Sequence, residues 1–232
     1  MFDPQKILQQ VLGGGGDSGD QPDRKRGISA DTLKGATIGG IAGLLLGSKS
    51  VRKIGGPALQ MGGVAILGGL AYKAWQTWQA QQNGQLPAPN EKAGDRIENA
   101  EGTVFLPKQE AERDELSLTL LSAMISAAKS DGHIDAAEQD RIFARIGDAS
   151  LSAEEKGFLM DQIRQPLDIN AIAAKATTPE RAAEIYAVSV LAIDVNDPKE
   201  ADYLKVLASR LNLDSGLRAS IEAEVGKAMR PA

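Results

Sequence analysis

At 232 residues with a net charge of -5, the chain has room for one helical domain of ordinary size plus further segments. It contains no cysteine, which excludes disulfides, thiolate zinc sites and cysteine nucleophiles, and its one histidine, His133, is too few for most acid–base networks, so a non-enzyme is expected. Residues 1–109 carry 12 Lys+Arg against 9 Asp+Glu, a net of +3, whereas residues 110–232 carry 14 against 22, a net of -8, and so acidic a C-terminal part argues against a nucleic-acid partner.

The opening MFDPQKILQQVL sets Ile7, Leu8, Val11 and Leu12 at helical spacing behind Pro4, which predicts a short amphipathic helix. GGGGDSGDQPDRKRG follows and reads as a flexible tether, since it holds too few apolar groups to order itself. Residues 35–47, GATIGGIAGLLLG, carry no charge and place Gly35, Gly39, Gly43 and Gly47 four apart on one helix face, the pattern of close helix packing in hydrocarbon. Residues 54–72 form a second apolar run with Lys73, Trp75 and Trp78 just beyond it, a combination that resembles an interfacial anchor. Nineteen helical residues can cross a hydrocarbon core of about 30 Å.

Eleven glycines between Gly35 and Gly69 disfavour a helical pair in water, where each costs about 1 kcal/mol against alanine. The expected arrangement is one full span over the second run plus a glycine-zipper segment, with a re-entrant or tight hairpin as the second arrangement. No signal-peptide cleavage pattern accompanies the apolar run, so the segment is expected to be retained. Charge counting leaves orientation open: a single span favours a cytoplasmic N-terminus with the C-terminal domain outside, whereas a hairpin puts both termini on one side.

Residues 79–109 are rich in Gln, Asn, Pro and Gly and read as a spacer. From Glu110 the composition turns to alanine, leucine and glutamate with apolar residues at helical spacing, and seven helices are expected. They run over about 110–129, 136–147, 152–165, 169–175, 178–193, 198–211 and 215–229. Ser152 with Glu155 makes a capping box, Pro179 and Pro198 occupy helix starts, and EIYAVSVLAI, apolar almost all round, marks the most buried helix. Glu154, Glu155 and Asp161 read as a solvated face. The predicted organisation is a short helix and tether (1–32), a glycine-rich membrane segment (33–78), a linker (79–109) and an all-α domain (110–232).

KSDGHIDAAEQDR, residues 129–141, carries the chemistry that can be read. Asp131, Gly132, Ile134, Asp135 and Glu138 fit positions five, six, eight, nine and twelve of a calcium loop, but Ala127 and Lys129 then occupy the liganding positions one and three, so that loop is rejected. Asp135 and Glu138 make a capping box that needs no metal, and a solvent-facing place is the commoner one for His133. The arrangement recurs in VSVLAIDVNDPKEADYL: Asp194 corresponds to Asp131, Asp197 to Asp135 and Glu200 to Glu138, at separations of 63, 62 and 62 residues. Two matched acidic turns on similar helix pairs suggest an internal pseudo-repeat around one core. GLLLGSKS, residues 43–50, misses the phosphate-loop spacing because Ser48 separates Gly47 from Lys49.

SAAKSDGHIDAAEQDRI and AIDVNDPKEADYL resemble the paired motifs of tellurite-resistance TerB-like domains, and with the glycine-rich segment and SKSVRK they resemble the YebE-like inner-membrane proteins of bacteria, over about residues 33–225. The resemblance implies a compact domain of about seven helices on an inner-membrane anchor, with the domain on the cytoplasmic side. It also implies a divalent-cation site at Asp131, Glu138, Asp194 and Glu200, with Asp135 and Asp197 beside them. The expected function is a membrane-anchored, non-enzymatic module whose helical domain binds a protein partner, tuned by that cation. The alternatives are a metal-dependent hydrolase using the same carboxylates and a glycine-zipper structural protein that self-associates in the lipid bilayer.

Overall fold

The computed structural model describes residues 2–13, 63–85, 93–130, 140, 142–143, 146–147, 149–193 and 197–229. Among these residues the chain is all-helical: α1 (Pro4–Gly13), α2 (Gly63–Gln82), α3 (Ala93–Ala100), α4 (Glu110–Ala128), α5 (Ala153–Arg164), α6 (Ile169–Ala173), α7 (Pro179–Ala192), α8 (Pro198–Arg210) and α9 (Ser215–Met229). The only extended pairing among them is an isolated bridge between Glu101 and Leu106.

Local signals set most of the helix ends. Ser152 accepts from the Glu155 N–H while the Glu155 carboxylate accepts from the Ser152 N–H, so the predicted capping box of α5 is complete. Asp168 caps α6, Thr178 caps α7 ahead of Pro179, and Asp197 caps α8 ahead of Pro198. Asp3 caps α1 by accepting from the Lys6 N–H at 3.0 Å.

The core is organised around α7, buried without interruption from Ala182 to Ala192, as its all-round apolar sequence predicts. Against it lie α4, buried over most of Leu116–Ala128, together with α2 and α9. α1 crosses α4 and α2, α3 covers α2, and α6 sits among α8, α4 and α7.

The placement of α2 departs from the sequence expectation. Residues 63–74, expected within a membrane span, are buried almost throughout against α1, α3, α7 and α9. A helix that is apolar all round can be buried by lipid or by protein, and here protein surrounds it. Among the described residues no helix is long and apolar enough to cross a membrane.

The glycines of α2 permit these contacts. A Cβ on Gly63 would stand 2.8 Å from Leu12 Cδ1 of α1, and one on Gly68 would collide with the Phe105 carbonyl oxygen. Their helix-propensity cost is offset by close approach of neighbouring backbone within the domain.

Two further expectations are corrected. The segment 79–109 is not a bare spacer, because it contains the end of α2, all of α3 and the buried side chains Ile97, Phe105 and Leu106. Trp75 and Trp78 do not extend from the domain as a lipid anchor: their ring centroids lie 5.0 Å apart, Trp75 packs on Phe105, and the Trp78 indole N–H donates to Asp214 at 2.7 Å. Lys73, grouped with them, is only 4% exposed.

Candidate functional site

Of the six carboxylates singled out from sequence, Asp197 and Glu200 are described, whereas Asp131, Asp135, Glu138 and Asp194 lie outside the described residues, as does His133. Asp197 performs the capping role read from its position. Its Oδ1 accepts from the Lys199 N–H at 2.8 Å and the Glu200 N–H at 3.3 Å. Glu200 is 2% exposed, so the second acidic turn carries a carboxylate withdrawn from water.

The flanks of the two turns meet. Tyr203, one helical turn beyond Glu200, is buried and donates its hydroxyl to Ser126 Oγ at 3.2 Å, and Ser126 lies five residues before Asp131. Burial pushes the Tyr203 hydroxyl pKa up, against the opposing effect of hydrogen bonds with Ser126 and Ser189. Ser189 on α7 stands in the same polar contact while its own hydroxyl donates back to the Ile185 carbonyl at 2.8 Å. The helices that lead into one turn and out of the other are thus joined by side-chain hydrogen bonds inside the core. Small hydroxyls at helical spacing on an apolar face were the available sequence signal.

Lys129 has a use that the sequence did not reveal. Its Nζ donates to the Gln165 carbonyl and lies 3.4 Å from that of Gln162, capping the C-terminus of α5, where a cation opposes the helix dipole. Burial lowers its pKa.

Two other carboxylates belong to the interior. Glu155, expected on a solvated face, is 1% exposed and ties α5 to α1: Oε2 accepts from Ser152 N–H at 2.7 Å, Oε1 accepts from Asp3 N–H at 3.1 Å, and Lys6 Nζ stands 4.0 Å away. Burial alone would raise its pKa, but these donors and the lysine outweigh it and hold the carboxyl below its ordinary value. Glu184 shows the opposite balance: burial raises it to about 8 despite the Arg181 guanidinium 2.8 Å from Oε2, with Glu180 adding to the rise. Its Oε1 is buried with no hydrogen-bond partner.

Among the described residues no group of three or more His, Cys, Asp or Glu side chains could hold a metal ion. Asp197 and Glu200 are too few to make a site by themselves, and the cation expectation rests on their joining Asp194 and the carboxylates of the first turn.

Comparison with known proteins places the chain more coarsely than its motifs do. Over 118 residues it is 32% identical to an uncharacterized protein in the ampR 5' region of Yersinia enterocolitica, an alignment that covers 51% of this chain and 85% of the relative. No solved structure matches the chain significantly. A family model described as protein of unknown function (DUF533) matches residues 31–225, beginning after α1 and running through α2 into α9, and the chain is therefore a member of the DUF533 family.

Proposed function

We propose that the chain is a membrane-associated, non-enzymatic helical module that presents a partner-binding domain and touches the bilayer through residues 33–62. The observation that carries this reading is where α1 and α2 meet. Gly63 lies against the Leu8–Gln9 backbone and the Leu12 side chain, so the connection 14–62 leaves the domain and returns to it at nearly one place. Residues 14–62 hold seven Lys+Arg and four Asp+Glu, a net of +3, which leaves -8 for the rest of the chain. A basic connection with two uncharged glycine-rich runs, attached to an acidic domain, has the charge and apolar content that suit an anionic lipid surface.

This geometry favours the hairpin over the single span. A full span over 54–72 would have to withdraw the first half of α2 from the core, and the remaining runs, 35–47 and 54–62, are each shorter than the about 20 residues a crossing needs. With α1 docked on the body of the domain, both termini belong on one side of the bilayer and the connection crosses an even number of times or none. Reporters fused separately to the two ends of the full chain should therefore give the same side. Opposite sides would defeat this arrangement, and recovery of the full chain away from membranes would defeat the association.

Within this reading a divalent cation at the acidic turns sets how the domain presents its partner surface. Support comes from the Tyr203–Ser126 contact that joins the flanks of both turns. Titrating the full chain with calcium, magnesium and zinc in a calorimeter should give saturable heat that Glu200→Gln with Asp194→Asn removes. Absence of heat, with no change in melting temperature on adding EDTA, would leave the turns as helix caps only.

A further inference from the structure

We propose that α1 is an exchangeable helix, and that the groove it fills between α2 and α4 accepts α1 of a second copy of this chain, giving a reciprocally swapped dimer. α1 spans only ten residues, fewer than a helix in water needs to be stable alone, so its order comes from the groove. Ile7 and Leu8 are fully buried there, Val11 and Leu12 nearly so. Polar contacts fix its register: Asp3 N–H to Glu155 Oε1, and Gln5 Nε2 to Asp114 Oδ1 at 2.8 Å. Phe2 closes the end by packing edge-on against Phe158.

None of these contacts depends on which chain supplies α1. The covalent link back to the domain is the 49 residues 14–62, while the points to be joined are in contact at Gly63. A connection of that length has a contour limit of about 160 Å, far beyond the gap it closes. A flexible link gives the chain's own α1 an effective concentration of about millimolar that falls roughly as the −3/2 power of length once the link outreaches its span. The groove of a neighbouring copy therefore competes with the chain's own as protein concentration rises toward that value. Exchange creates no new interface and leaves both termini on the same side, so it can fail without affecting the membrane reading.

The absence of cysteine makes the test specific. Full chains carrying Gln5→Cys and full chains carrying Asp114→Cys are mixed and oxidised, and circular dichroism confirms that each folds. Exchange predicts a 5–114 disulfide between two chains, at twice the monomer mass, that rises with protein concentration and is lost when Ile7→Asp is added to the Gln5→Cys chain. If the mixture yields no such product while a chain carrying both substitutions closes only within itself up to about millimolar concentration, the proposal is overturned. A mixed product that survives Ile7→Asp reports random collision and overturns it equally. Should Asp114→Cys not fold, Phe2→Cys with Phe158→Cys provides the same measurement at the other end of the helix.

Discussion

Glu155 and Glu184 show how two buried carboxylates in one core take opposite charge states. Glu155 receives two backbone N–H groups and faces a lysine, so its charged form is favoured; its stabilisation is present above the ordinary value of 4.5 and is lost as pH falls through its lowered pKa. Glu184 has its pKa raised to about 8, so the folded chain keeps a proton that the unfolded chain releases near 4.5. Its contribution is therefore largest below 4.5, declines as pH rises toward 8 and levels off beyond. Glu184→Gln should remove that decline and raise the melting temperature above pH 8, measured by thermal melts from pH 5 to 9; an unchanged pH profile would contradict the assignment. Glu155→Gln sets an amide against backbone N–H donors and should cost about 1–3 kcal/mol in urea unfolding, with amide exchange in residues 4–13 accelerating more than in α7.

At the scale of elements, the glycines divide by what surrounds them. Gly68 has no room for a Cβ beside the Phe105 carbonyl, whereas Gly157 in α5 and Gly226 in α9 face open space. Gly68→Ala should therefore destabilise by about 1–3 kcal/mol through overpacking, while Gly157→Ala and Gly226→Ala should each stabilise by about 0.5–1 kcal/mol, read from denaturant midpoints. Equal effects at all three sites would show that α2 does not pack as described. The sequence displayed all these glycines alike, since spacing cannot say whether a bare helix face meets lipid, another helix or water. Ends fixed by local chemistry were far more legible: Ser152, Thr178, Asp197 and their following prolines or glutamates start α5, α7 and α8 within a residue or so of their predicted places.

For the whole molecule, α1 and α2 tie the two ends of a long connection to one body, and this couples the N-terminus to domain stability. Leu8→Ala, removing a fully buried side chain between α1 and its groove, should cost about 2–5 kcal/mol of global stability and deprotect the amides of Val64–Leu70 along with those of α1. Loss of protection in α1 alone would mean that it frays independently of the core. The charge contrast between the connection and the remainder acts at this scale too, because it concerns attraction to a surface rather than any one contact.

Sequence by itself determined the all-α class, the central burial of α7, the N-terminal amphipathic helix and most of the helix starts, because each depends on residues within one or two turns of one another. It also identified Asp197 as a cap, since a cap accepts from its own following N–H groups. Only the tertiary structure decided what covers the apolar run at Gly63–Ala74, because a helix apolar on every side carries the same pattern in lipid and in a protein core. Only the tertiary structure removed Glu155 from the surface, since the N–H that satisfies its second oxygen lies at Asp3, 152 residues away. The acidic turns fall between these cases: their matched pattern was visible in sequence, while the contact that brings their flanks together, Tyr203 to Ser126, spans 77 residues and exists only once α8 packs against α4.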